Sequence, residues 1–211
     1  MKRFNLITIF LLISGSLSFG QITYFANQDI SISLNPGILL FLDIETGNTG
    51  SSAASLPDWD ISVRLGGTVI GTNANFAPVR TGSTNTSAIR KLDIGSPGDI
   101  VDGSSQFYAP LNLLGSSIDH SGAGSDQWLS NPGELGYIGF KFQTDGVGPI
   151  KYGWMSVTIS NQQPGTIHEW AFTTSPTGLE VGVVPEPHVY ALIIGIFALA
   201  PVIWLRIRQN Y

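Results

Sequence analysis

Residues 136–142 are Gly-Tyr-Ile-Gly-Phe-Lys-Phe, and residues 151–157 are Lys-Tyr-Gly-Trp-Met-Ser-Val. Large apolar side chains recur there at every second position, which is the period of a β-strand and not the 3.6-residue period of a helix. The same alternation occurs over residues 29–34, 59–65 and 167–172. In the last of these segments it predicts His168, Trp170 and Phe172 on one face and Ile167, Glu169 and Ala171 on the other.

Turn-forming residues separate these segments. The chain contains 25 glycines and 12 prolines, with clusters at 46–50, 95–99 and 163–165, and no window longer than two turns has a helical period. Many short strands with frequent turns predict an all-β domain over residues 21–183, built as a two-sheet antiparallel sandwich of jelly-roll-like form. Residues 72–126, rich in Ser, Gly, Asn and Thr, are predicted to be long loops that join short strands.

Composition excludes several classes of function. The chain has no cysteine, which excludes disulfides, thiol catalysis and Cys-ligated metals. Of ten basic residues, four lie at the two ends, so six face all fifteen acids between residues 21 and 187, a net charge of −9. An acidic body without clustered Lys and Arg argues against binding to nucleic acid.

The first twenty residues have the three parts of a secretory signal peptide. Lys2 and Arg3 precede an apolar run at 6–13, which is too short to span a bilayer, and small residues follow. Ser18 and Gly20 suit the positions before a cleavage site, so cleavage is expected before Gln21. The pattern predicts export through the Sec translocon and processing by signal peptidase.

The other end predicts a transmembrane helix over residues 189–205, which carry no charge. Seventeen residues in a helix reach about 26 Å, the lower limit for crossing the hydrocarbon core. Tyr190 and Trp204 lie near the two edges, where aromatic rings favour the interface, and Arg206 and Arg208 favour the cytoplasmic side. The predicted precursor is therefore an exported body anchored in the inner membrane by its C-terminus.

Directly before this span stands Val184-Pro185-Glu186-Pro187. Pro-Glu-Pro, an apolar span and terminal arginines together resemble the PEP-CTERM sorting signal of Gram-negative bacteria, over residues 184–211. The resemblance implies that Pro185, Glu186 and Pro187 are recognised by exosortase, a membrane-embedded protease-like enzyme. Family tails usually carry a denser arginine cluster than Arg206-Ile207-Arg208, which implies less efficient processing. The resemblance implies no activity for the body.

Segments such as 136–142, 151–157 and 169–172 also resemble those of exported PEP-CTERM proteins and imply a β-sandwich before the anchor.

Two acidic pairs, Asp43 with Glu45 and Asp58 with Asp60, have the spacing of carboxylates on one strand face. On a strand such carboxylates lie about 6.6 Å apart, a separation suited to glycoside hydrolysis. The alternative is that these acids face water at strand ends. Jelly-roll glycosidases usually present a longer acidic motif with a third carboxylate, which neither pair has, so the solvated alternative is favoured.

Three aromatic residues on predicted strands are candidates for stacking on sugar rings: Tyr152, Trp154 and Trp170. Tyr152 and Trp154 are expected to share one face of their strand. Core packing is the commoner fate of a strand tryptophan, because Trp is highly buried on average.

Asp93, Asp99 and Asp102 lie in a Gly/Ser-rich stretch and offer oxygen ligands of the kind calcium prefers. Their spacing matches no calcium motif, so the favoured interpretation is a solvated turn with no metal, and no cofactor is expected.

The sequence thus favours a non-enzymatic exported protein, at the cell envelope or outside the cell, with a structural or adhesive role within extracellular polysaccharide. A carbohydrate-binding module is the first alternative, and a glycan-active enzyme that uses one acidic pair is the second.

Overall fold

The computed structural model describes residues 21–80, 89–92, 99–107, 118–121, 128, 132–144 and 147–183. These residues form fourteen β-strands and one short 3-10 turn, η1 (Leu65–Gly67), and no α-helix occurs among them. Every strand pairing in this part of the chain is antiparallel. The prediction of an all-β, antiparallel body is confirmed.

The strands form two sheets and a separate two-stranded ribbon. Seven strands form the large sheet: β1 (Ile22–Phe25), β2 (Ile30–Ile32), β7 (Phe76–Pro78), β8 (Lys91–Leu92), β11 (Leu135–Phe142), β12 (Lys151–Thr158) and β13 (Gly165–Thr173). Five form the small sheet: β3 (Leu40–Leu42), β4 (Thr49–Gly50), β5 (Ile61–Arg64), β6 (Val69–Thr72) and β10 (Ile118–Ser121). The ribbon consists of β9 (Ile100–Val101) and β14 (Leu179–Glu180).

The large sheet has the order β1-β13-β12-β11-β7, with β2 also paired to β13 and β8 also paired to β11. The small sheet has the order β10-β6-β5-β3-β4. The long strands β11, β12 and β13 are the segments in which the alternation of the sequence is clearest. As predicted, the strands within residues 72–126 are short, from two to four residues where the structure describes them.

The main core lies between the two sheets. Ile138, Met155 and Val157 of the large sheet close a small apolar gap together with Ile61 and Val63 of the small sheet, and all five are buried. Burial of such side chains stabilises the fold by roughly 1.5–3 kcal/mol each. The arrangement is therefore sandwich-like, with the apolar faces of two sheets packed against each other.

The centre of the large sheet requires a glycine. In the register of β11 and β12, Gly153 is paired with Phe140. A Cβ atom at Gly153 would lie 2.4 Å from the carbonyl oxygen of Ala171 and 2.7 Å from the Phe140 ring. The ring therefore occupies the space above this position, which a larger residue would have to share.

A second apolar cluster covers the opposite face of the large sheet. Trp154 and Tyr137 pack there with Val101 of β9 and Leu179 of β14, so the ribbon lies over this face. A Cβ atom at Gly139 would come within 2.7 Å of Val101. The middle of the large sheet is thus covered on both faces, which is why the neighbouring residues Trp154 and Met155 are both buried.

A β-bulge in β13 changes the predicted alternation. Ser156 is paired with Glu169 but Val157 with Ile167, so His168 is an extra residue on β13. The expectation that Ile167 lies opposite Trp170 is wrong, because the extra residue brings both side chains into the main core.

Candidate functional site

The two acidic pairs meet in one cleft of about 150 Å³, which is lined by Asp43, Glu45, Thr46, Asp58, Asp60, Phe142 and Thr144. They meet because β3 and β5 are paired, with Leu42 opposite Ile61, and the acids follow one strand and precede the other. Both pairs lie outside the strands. The expectation that each pair shares a strand face is therefore wrong, and the contact arises between pairs rather than within them.

Together with Asp43, Asp60 is one of the two buried acids of the cleft. Its side chain is 9% exposed, and its Oδ2 accepts a hydrogen bond of 2.8 Å from the backbone N–H of Ile44. Burial raises the pKa of Asp60 to about 7, and the nearby charges of Asp43 and Glu45 act in the same direction. The hydrogen bond from Ile44 opposes this rise without cancelling it.

Asp43 organises the turn after β3. Its Oδ1 accepts hydrogen bonds from the backbone N–H groups of Glu45 and Thr46, and its Oδ2 accepts one from the Thr46 hydroxyl. Both oxygens are thus used inside the turn, which is the usual structural role of an aspartate in such a position.

Glu45 connects the two sheets. Its carboxylate accepts hydrogen bonds from Lys151 Nζ on β12 and from the Thr144 hydroxyl at 2.6 Å, and Lys151 also donates to Thr144 at 2.8 Å. Partial burial would raise the pKa of Glu45, but the hydrogen bonds and the charge of Lys151 together lower it. The cleft therefore contains two carboxyl groups whose pKa values are displaced in opposite directions, while Asp58 is exposed.

The prediction of sugar stacking is wrong for two of the three candidate residues. Trp154 and Trp170 have no exposed surface, because they lie in the clusters on opposite faces of the large sheet. Trp170 donates from Nε1 to the carbonyl of Ile44 at 2.9 Å, whereas Nε1 of Trp154 has no hydrogen-bond partner among the described residues. Tyr152 lies on the same face as Trp154, as predicted, and is half-buried beside Phe107.

The two described calcium candidates, Asp99 and Asp102, each interact with different protein groups. Asp99 is buried and pairs with Arg90 at 3.2 Å. Asp102 accepts hydrogen bonds from the N–H and hydroxyl of Ser104, which lower its pKa. Asp93 lies outside the described residues. Within the described part of the chain, no group of three or more His, Asp and Glu side chains is arranged to hold a metal ion.

Three side chains that the sequence does not single out are linked by hydrogen bonds. Nδ1 of His168 lies 2.9 Å from Oδ1 of Asp29, and Nε2 lies 2.7 Å from the Thr158 hydroxyl oxygen. Asp29 and His168 are 139 positions apart, so no local motif indicates the contact. Glu169, the acidic neighbour of His168 in the sequence, instead accepts a hydrogen bond from Tyr24.

The predicted sorting and membrane residues lie outside the described residues. These are Pro185, Glu186, Pro187, Tyr190, Trp204, Arg206 and Arg208, together with the predicted signal peptide at 1–20. Where the structure describes the chain, it contains no helix with the length and apolar character to span a membrane.

Among the described residues, the acidic cleft and the linked side chains of Asp29, His168 and Thr158 are two polar arrangements that bring titratable groups together. Comparison of the chain with protein-family models, with curated proteins and with solved structures finds no match.

Proposed function

We propose that this protein is exported, sorted by exosortase and retained at the cell envelope or in the extracellular matrix. Its C-terminal pattern carries the proposal: Pro185-Glu186-Pro187, an uncharged span over 189–205, and arginines beyond it. The Sec translocon and signal peptidase would act on the other end, and residues 189–205 would hold the precursor in the inner membrane.

The role we propose for the body is structural or adhesive, as a jelly-roll-like sandwich that contacts extracellular polysaccharide. Two observations support a structural role. The middle of the large sheet is covered on both faces, and Asp43 and Glu45 of the acidic cleft are bound within a turn and between sheets. Hydrogen bonds of this kind contribute to the stability of the fold.

The experiment replaces Pro185-Glu186-Pro187 by three alanines in the full-length protein, expressed in a host that carries exosortase. Export should persist, but the uncleaved protein should accumulate in the inner membrane, as measured by cell fractionation and intact mass. Pro149→Ala, in an exposed loop of the body, is the matched control and should be processed normally. Equal mass and equal fractionation of the triple variant and the parent would refute the sorting proposal.

A carbohydrate-binding role is the second candidate, and the exposure of Tyr152 favours it. Tyr152 is the one sugar-stacking candidate whose side chain is only half-buried, and a partly exposed aromatic ring can stack on a sugar. Binding of the protein to a glycan array should weaken in Tyr152→Ala, with the exposed Tyr24→Ala as a control on the same face.

A further inference from the structure

We propose that Thr158 is a nucleophilic hydroxyl that takes an acyl group from short-chain carboxylic esters, with His168 as its general base and Asp29 as the residue that positions the base. This chemistry goes beyond the structural role proposed above. It concerns another part of the body, and it holds or fails independently of sorting.

The three side chains are arranged as a nucleophile, a base and an acid that orients the base, each hydrogen-bonded to the next. Thr158 Oγ1 and His168 Nε2 are 2.7 Å apart, and His168 Nδ1 and Asp29 Oδ1 are 2.9 Å apart. A hydroxyl within hydrogen-bond reach of a base that is itself held by a third group is the arrangement that activates weak nucleophiles.

The hydrogen bonds also fix which nitrogen is the base. A carboxylate only accepts hydrogen bonds, so the Nδ1 that faces Asp29 carries a hydrogen. In the neutral ring Nε2 is then the acceptor, and the Thr158 hydroxyl donates to it. This is the tautomer that can remove the hydroxyl proton.

The fold holds this arrangement in place at the β-bulge of β13. His168 is the extra residue of the bulge, and bulges re-aim side chains. Its carbonyl accepts hydrogen bonds from the N–H groups of Gln28 and Asp29, at 2.8 and 3.4 Å. Asn27 and Asp29 have φ angles of 53° and 44°, a left-handed conformation that Asn and Asp adopt more readily than other residues with a side chain.

The site is accessible to a small substrate. The His168 side chain is 33% exposed and that of Asp29 is 69% exposed, and Thr158 is half-buried at the end of β12. A side chain on a strand surface offers contact to a short acyl group, whereas a long acyl chain would remain largely in water. We therefore assign acetyl and similarly short esters as the substrates.

The reaction is an acyl transfer. Thr158 Oγ1 bonds to the ester carbonyl carbon while its hydrogen moves to His168 Nε2, and the carbonyl oxygen takes up the electron pair. When the intermediate collapses, the carbon–alkoxy bond breaks and the leaving alcohol takes the proton from Nε2. The products are an ester on Thr158 and one alcohol, and no oxidant or reductant is needed.

The test uses the full-length protein with p-nitrophenyl acetate as the probe. Release of nitrophenol and the mass of the peptide that contains Thr158 are followed together, and one acetyl group should appear on Thr158. General-base assistance contributes about 10²–10⁴-fold to such steps. We therefore expect Thr158→Val and His168→Gln each to lower the rate of acetylation by about a hundredfold or more.

Thr166→Val is the matched control, because Thr166 is paired with Thr158 on the neighbouring strand; it should acetylate at the parental rate. For Asp29→Asn, whose asparagine tolerates positive φ, the readout is the pH–rate profile, which a purely structural role would leave unmoved. A parent without acetyl on Thr158, or a Thr158→Val variant that releases nitrophenol at the parental rate, would overturn the proposal. The second result would mean that His168 attacks the ester alone.

Discussion

Replacing the buried Asp60 by asparagine should remove most of the loss of folding stability that occurs as the pH rises above the ordinary pKa of an aspartate. Asp60 lies in the acidic cleft with Oδ2 on the N–H of Ile44, and an asparagine oxygen can accept the same hydrogen bond. The substitution therefore keeps the contact and deletes only the titration.

The direction in which stability changes with pH follows from the raised pKa of Asp60. The pKa of Asp60 is about 7 in the folded protein against an ordinary 3.8, so the folded state binds the proton more tightly than the unfolded state. The contribution of this carboxyl to the free energy of unfolding is then greatest below the lower value and falls as the pH rises toward the upper one. The difference between about 7 and 3.8 corresponds to at most about 4 kcal/mol.

The assay is urea unfolding of the full-length protein between pH 4 and pH 8 (roughly the range over which the shifted carboxyl titrates). The parent should lose stability across this range, and Asp60→Asn should lose much less and be the more stable protein at the upper end. Asp58→Asn is the matched control, because Asp58 lines the same cleft but is exposed, and it should follow the parent. Parallel curves for Asp60→Asn and the parent would refute the reasoning.

Four further substitutions test the packing of the large sheet and the junction between the sheets by urea unfolding. Trp170→Phe should cost about 1–3 kcal/mol more than Trp154→Phe, because only Trp170 gives up an Nε1 hydrogen bond to a buried carbonyl; equal losses would contradict this. Gly153→Ala should destabilise by about 3 kcal/mol through overpacking, since its Cβ would lie 2.4 Å from a backbone oxygen, and a neutral result would mean that the sheet yields there. Glu45→Gln should cost about 1 kcal/mol at pH 7, because it removes the charge facing Lys151 at a partly exposed site. The parent's advantage over this variant should disappear as the pH falls through the lowered pKa of Glu45, since protonation removes the same charge.

The sequence predicted the class of fold because alternation in β11 and β12 depends on local chemistry alone. It could not predict that the middle of the large sheet is covered on both faces, because nothing in the sequence around Trp154 and Met155 indicates which element packs over each of them. The bulge at His168 was also hidden, because one extra residue in a strand becomes visible only against the register of its partner.

For the candidate sites too, local spacing could be read from the sequence but contacts between distant strands could not. Spacing singled out both acidic pairs, but the cleft exists because β3 is paired with β5, a contact that separate motifs do not encode. The position of Asp29 beside His168 likewise depends on the pairing of β2 with β13. The proposed sorting signal and membrane span, by contrast, depend only on the linear order of residues, and they stay predictions.

The two-stranded ribbon has a mechanical consequence. Its last strand, β14, is held to β9 by two residue pairs, and the chain continues from it toward the C-terminal segment. In a protein tethered by that end, a pulling force would load β14 first and unzip this short ladder before it reached the long strands. Tension would then expose the aromatic side chains around Trp154 while the two main sheets stayed folded. The ribbon would therefore be the first part of the domain to unfold under force.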